Sequence, residues 1–245
     1  MSAELRTEGI VKAFGGVQAL DDCTLTAAAG SITGLIGPNG SGKTTLFNIV
    51  TGYERPDAGQ VYLDGQRITG ASAHRVFGLG LSRTFQLTRI FPRLTLLENM
   101  LVPAGGGGAA DRRRAQELLE FTGIGRYAGA LAGTLSYGQR KLLELATVLA
   151  ARPAVVLLDE PAGGVNPTLI QHLADRIREL NAQGTTFLIV EHNMEFVMAL
   201  CHQVTVLDHG TVVAAGPPEA MARDPRVLDA YLGTALDDAD ETGDH

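Results

Sequence analysis

Gly37-Pro38-Asn39-Gly40-Ser41-Gly42-Lys43-Thr44-Thr45 is the strongest chemical pattern in this chain of 245 residues. It fits G-x-x-x-x-G-K-[ST], and the apolar run Ile32–Ile36 precedes it. The spacing predicts a strand, a glycine-rich loop and a helix over Thr44–Val50. Glycines let such a loop curl until successive N–H groups point inward at phosphate oxygens. The helix N-terminus adds positive potential. Lys43 is expected to reach the β- and γ-phosphates of a nucleotide, and the Thr44 hydroxyl to hold Mg2+.

A second pattern supplies acids. Val155-Val156-Leu157-Leu158-Asp159-Glu160 is an apolar run ending in two carboxylates. A central buried strand presents its C-terminal end at a ligand crevice. Asp159 is expected to hold the metal, directly or through water, and Glu160 to polarise an attacking water. A third pattern, Leu135-Ser136-Tyr137-Gly138-Gln139, begins a helix. Ser136 and Gln139 are spaced as a capping box, and Leu142, Leu145, Ala146 and Leu149 make its core stripe. A capped helix start is itself an anion site.

These last residues resemble the signature motif LSGGQ of ATP-binding cassette (ABC) ATPases, with Tyr137 in place of the commoner Gly. The resemblance covers nearly the whole chain. It implies that Gln86, ending Leu81-Ser82-Arg83-Thr84-Phe85-Gln86, senses Mg2+ and the attacking water. It implies that His192 contacts the γ-phosphate, that Phe14 stacks on adenine and that Val17 lines the same face. Ser136, Tyr137, Gly138 and Gln139 would close on the ATP of a second ATP-binding subunit, identical or paralogous, arranged head to tail. Asn166 stands where many relatives have Asp, so an interface role is expected without charge.

The chain is most similar to ATPases of branched-chain amino acid importers. The similar stretches are Arg83–Gln86, Glu160–Pro167, Glu191–Met194 and, near the end, Asp224-Pro225 through Ala230–Gly233. The implied fold is a P-loop NTPase (RecA-like) α/β core with an N-terminal antiparallel β subdomain and an inserted α-helical subdomain. The implied partners are membrane permease subunits and, indirectly, a solute-binding protein outside the membrane, with the chain peripheral on the cytoplasmic face. Urea and amide importers and lipopolysaccharide exporters are similar enough to stand as alternatives, as does a non-transport ABC ATPase.

The elements that must position these residues follow from short apolar runs alternating with helical patterns, which predict a mostly parallel sheet. Buried strands are expected at Ile32–Ile36, Val155–Leu158 and Thr186–Val190. A hairpin is expected from Val204–Asp208 and Thr211–Ala215 around His209-Gly210. Leu5–Phe14, Cys23–Ala27 and Val61–Leu63 read as antiparallel strands. From about 88 to 150 the pattern is helical, with an amphipathic helix at Arg112–Phe121 and a glycine-rich link at Pro103–Gly108. One nucleotide-binding domain is expected over 1–236. An acidic, solvated tail would follow over 237–245. Beside Gln86, the apolar Leu87, Ile90 and Phe91 are expected to help form a groove for a permease helix.

Composition narrows the classes. Net charge is −7, and Asp237, Asp238, Asp240, Glu241 and Asp244 carry most of it at the end, so the body is near neutral. A nucleic-acid binder needs a basic face, and none is indicated. No N-K-x-D element for guanine is present. The longest uncharged stretch, 23–42, is too rich in glycine to span a membrane. Cys23 and Cys201 match no metal or redox spacing and are expected to be buried thiols in a reducing compartment.

Overall fold

The computed structural model describes residues 2–85, 90–103 and 107–230. Gln86, Leu87, Arg89, the centre of the Pro103–Gly108 link and everything from Tyr231 lie outside them.

The chain opens with β1 (Leu5–Phe14), β2 (Val17–Ala27), β3 (Ile32–Ile36), α1 (Lys43–Val50), β4 (Ala58–Leu63), β5 (Gln66–Arg67), α2 (Ala73–Gly78) and β6 (Leu81–Arg83). A helical stretch follows, with α3 (Leu96–Leu101), α4 (Ala109–Phe121) and α5 (Tyr137–Ala150). The rest is β7 (Val155–Asp159), α6 (Pro167–Ala182), β8 (Thr186–Val190), α7 (Met194–Leu200), β9 (Gln203–Asp208), β10 (Thr211–Gly216) and α8 (Pro218–Met221). One sheet has the order β2-β1-β4-β5 and its pairings are antiparallel. The other has the order β10-β9-β3-β8-β7-β6, parallel except for the β9–β10 hairpin.

The central strands β3, β7 and β8 are buried at every residue. Both faces of a parallel sheet are covered, so its strands are unbroken apolar runs instead of alternating ones. Side chains still alternate between the faces. Val156, Leu158, Phe187 and Ile189 pack in one core with α5, α6 and α7 residues such as Leu142, Ile177 and Val197. Val155, Leu157, Leu188 and Val190 pack in a second core with Leu46 and Phe47 of α1 and Leu5 and Ile10 of β1. Asp159 and Glu160 therefore emerge from the interior between two packed layers, with little freedom to move.

Three expectations needed extending. Strand β2 begins at Val17, well before Cys23, because its exposed first half still pairs with β1 across Phe14↔Val17 and Lys12↔Leu20. Strand β4 begins at Ala58 and α4 at Ala109. Strand β6 was not expected; its three residues, Leu-Ser-Arg, carry too little pattern, and pairing with β7 creates it. Both cysteines are buried free thiols, and burial pushes each pKa up to about 12.

Candidate nucleotide site

The loop between β3 and α1 is shaped by contacts that only glycine tolerates. Gly37 has φ 151°, and a Cβ there would lie 1.9 Å from the Leu207 carbonyl oxygen of β9. Gly42 has φ 104°, and its Cβ would lie 2.4 Å from the Ala19 oxygen of β2. Gly210 N donates to Ser41 O at 3.0 Å, closing the loop against the β9–β10 turn. Inside this frame Lys43 is 6% exposed. Its Nζ donates to the carbonyls of Gly37 (2.9 Å) and Pro38 (2.6 Å) and to Ser41 Oγ (3.2 Å). Burial pulls the Lys43 pKa below its ordinary value, against the opposing attraction of Glu160 and Asp159. An anion entering here would meet an ammonium already aimed at the loop.

A cavity of about 230 Å3 opens over this loop, bordered by Asn39, Gly40, Gly42, Lys43, Thr44, Thr45, Glu160 and His192. Two of the three expected catalytic residues, Glu160 and His192, thus lie beside the phosphate loop, and the third, Gln86, is outside the described residues. Glu160 follows β7 with φ 47°, a conformation disfavoured for a residue with a side chain. Its Oε1 lies 3.0 Å from His192 Nε2. His192 is held in turn by the buried Glu191, which was not foreseen. Glu191 Oε1 accepts from Ala162 N at 2.6 Å, and Oε2 accepts from His192 N at 3.0 Å and Asn193 N at 3.2 Å. Burial raises the Glu191 pKa, and these three N–H donors oppose the rise. One carboxylate thereby ties the segment after β7 to the segment after β8.

Asp159 does not border the cavity. Its Oδ2 accepts from Arg83 Nη2 at 3.0 Å in a pair that is 6% exposed on both sides. Burial raises the Asp159 pKa while Arg83 lowers it. Arg83 also donates to Asn48 Oδ1 (2.8 Å) and Thr51 Oγ1 (3.3 Å) of the α1 region and lies over the rings of Phe47, Tyr53 and Phe85. It ties β6, α1 and β7 together. Leu81-Ser82-Arg83 carries no pattern that marks Arg83 as part of the site.

Ser136 and Gln139 form the expected capping box at α5, with Ser136 N donating to Gln139 Oε1 at 2.9 Å. They border a different cavity, of about 650 Å3, with His172 and Asn166. The single chain does not bring Ser136–Gln139 to Lys43. Asn166 Oδ1 accepts from Leu169 N at 2.9 Å and caps α6, so that oxygen serves its own chain. Phe14 is 46% exposed and Val17 faces it across the hairpin. Two residues on, Ala19 reaches the phosphate loop, roughly 7 Å along the strand. Of the residues expected to form a permease groove, Ile90 is half-buried and packs against the larger core, and Phe91 is 52% exposed.

Residues 20–163 match the ABC transporter family. The chain belongs to that family. Residues 211–237 of this cassette match a second description, branched-chain amino acid ATP-binding cassette transporter. The cassette is 36% identical to the high-affinity branched-chain amino acid transport ATP-binding protein BraF of Pseudomonas aeruginosa, over 94% of this chain and 98% of that one. Among solved structures it resembles the ADP conformation of an ABC transporter cassette, with TM-score 0.89 and 34% identity over 95% and 100% of the two chains. It also resembles a dimeric bacterial ABC transporter cassette, with TM-score 0.80 and 25% identity over 87% and 98%.

The exposed Phe14 yields a test within this site. Base–aromatic stacking contributes about 1–3 kcal/mol, so Phe14→Ala should weaken ATP binding roughly 5- to 150-fold. Inorganic triphosphate, which has no base, should bind the variant as it binds the parent. Equal ATP affinities by titration calorimetry would show that Phe14 is not the base platform.

Proposed function

We propose that this cassette binds Mg·ATP, hydrolyses it within a head-to-tail pair of cassettes, and thereby drives branched-chain amino acid uptake through a separate permease. The observation that carries this reading is the facing of Lys43 and the Glu160–His192 pair across one cavity beside a helix N-terminus. The backbone N–H groups of Gly40–Thr44 and the Lys43 ammonium would bind the phosphates. Glu160 would take the proton of the attacking water as the new bond to the γ-phosphorus forms and the bridging P–O bond breaks, and His192 would orient that carboxylate and meet the γ-phosphate. Water attack at phosphorus would then expel ADP.

The Thr44 hydroxyl, the Asp159 carboxylate and Gln86 are oxygen donors, the set that suits a hard cation. Among the described residues no cluster of three or more His, Cys, Asp or Glu is placed to hold a metal. When bound, Mg2+ supplies charge neutralisation on the β- and γ-phosphates. With Arg83 on Oδ2, Asp159 keeps a fixed carboxylate plane for this task. The head-to-tail pair is supported by the separation of Ser136–Gln139 from Lys43 within one chain. Those four residues would complete the partner's site, with α5 presenting its N-terminus to the γ-phosphate.

Among the described residues no helix is long and apolar enough to cross a membrane. In this reading, work on a solute passes to other subunits at the membrane's cytoplasmic face. A cavity of about 210 Å3, lined by Tyr53, Val76, Phe77, Phe85 and Val148 with Arg83 and Ser82, would seat a permease helix. It adjoins Phe85, next to Gln86, and Arg83, next to the metal carboxylate in space. Filling it by Ala73→Trp should cost about 2 kcal/mol of docking, roughly 30-fold. Reconstitution with the permease and binding protein of its own transporter tests both ideas. Leucine, isoleucine or valine should stimulate ATP turnover, and Ala73→Trp should lose transport faster than hydrolysis. Stimulation by urea, an amide or no solute would overturn the substrate. Unchanged transport in the variant would overturn the seat.

A further inference from the structure

The left-handed backbone of Glu160 needs partners that hold it. Glu160 N donates to Val190 O at 2.9 Å, and its carbonyl accepts from Gly163 N at 3.1 Å. The same carbonyl accepts from Lys141 Nζ at 3.0 Å. Lys141 comes from a different element, one turn into α5, and is 7% exposed. Its ammonium lies 5.8 Å from the centre of the Tyr137 ring. That ring packs on Gly164, φ 69°, where a Cβ would lie 3.1 Å from Tyr137 Cε1. A methionine would fill the place of Lys141 without desolvating a charge. What the ammonium adds is its bond to the carbonyl of Glu160, beside a weaker attraction to the Asp159 carboxylate, and the Tyr in the signature motif supplies a face that accommodates the cation.

We propose that Lys141 is a positioning residue that fixes the carboxylate of Glu160 through its own backbone carbonyl. This rests on Glu160 acting as general base in a head-to-tail pair. The helix end that closes on the partner's nucleotide then also holds the carboxylate acting on its own. Each base is thereby tied to the state of the opposite ATP site.

The test uses the full-length chain with K141M, K141R, E160Q and the double variant K141M/E160Q. K141M should lower kcat about tenfold or more while ATP Kd stays within about twofold. K141R, which keeps a donor, should recover most of the rate. K141M/E160Q should turn over at the residual rate of E160Q, because the lysine acts through that carboxylate. A parental rate in K141M beside a crippled E160Q overturns this proposal alone. So does a further loss of about tenfold on adding K141M to E160Q. A parental rate in E160Q removes the general-base reading and this proposal with it. If K141M does not fold, K141Q replaces it, since its amide nitrogen stops one bond short of the carbonyl.

Discussion

Replacing Glu160 by Gln should slow ATP turnover by about 10²–10⁴-fold and leave ATP binding intact. The amide keeps the side chain's shape and its place 3.0 Å from His192, but it is too weak a base to take the proton of the attacking water. Nothing in the phosphate loop changes, because Lys43 and the backbone amides are untouched. ATP should then hold two cassettes together far longer than in the parent, since the phosphate repulsion that follows hydrolysis is delayed. Size-exclusion chromatography with and without ATP reads this directly. A variant that hydrolyses at the parental rate, or stays monomeric with ATP bound, contradicts the role given to Glu160.

Lys43→Ala should instead weaken ATP binding severely. Truncating one member of a buried charged contact costs about 2–5 kcal/mol, roughly 30- to 5,000-fold in Kd. The three bonds Lys43 makes to Gly37, Pro38 and Ser41 also disappear, so the loop should lose definition. Lys43→Arg should not restore affinity, because a planar guanidinium does not fit a pocket built around a compact ammonium. Titration calorimetry with ATP checks both variants, and parental affinity in Lys43→Ala would remove the phosphate-site assignment. The contrast between binding lost here and turnover lost in Glu160→Gln separates the two halves of the site.

The phosphate loop, the acid pair and the capped α5 were legible because each depends on contiguous residues with a local physical reason. The strands β3 and β8 came out at their observed limits because full burial makes them unbroken apolar runs ended by Gly37 and Glu191. Arg83, Lys141, Glu144 and Glu191 were not legible as parts of the site. Each is a charged group with at least one partner well removed along the chain. Glu144, for example, accepts from Phe85 N at 2.9 Å and ties α5 to the residue before Gln86. Periodicity assigns a helix face to such a residue but not the partner brought to it by packing. Likewise Ile90 and Phe91 are adjacent and both apolar, and only the three-dimensional arrangement half-buries one against the core and leaves the other exposed.

The close approach of Leu207 to Gly37, and of Gly210 to Ser41, joins positions about 170 residues apart. On the ribosome, the motif that grips phosphate emerges early, yet its buttress arrives only with the last sixth of the chain. A nascent chain halted before Gln203 would display every diagnostic motif and still lack the wall that shapes the first of them. Premature stop codons in this late segment should therefore be as damaging as lesions in the motifs themselves.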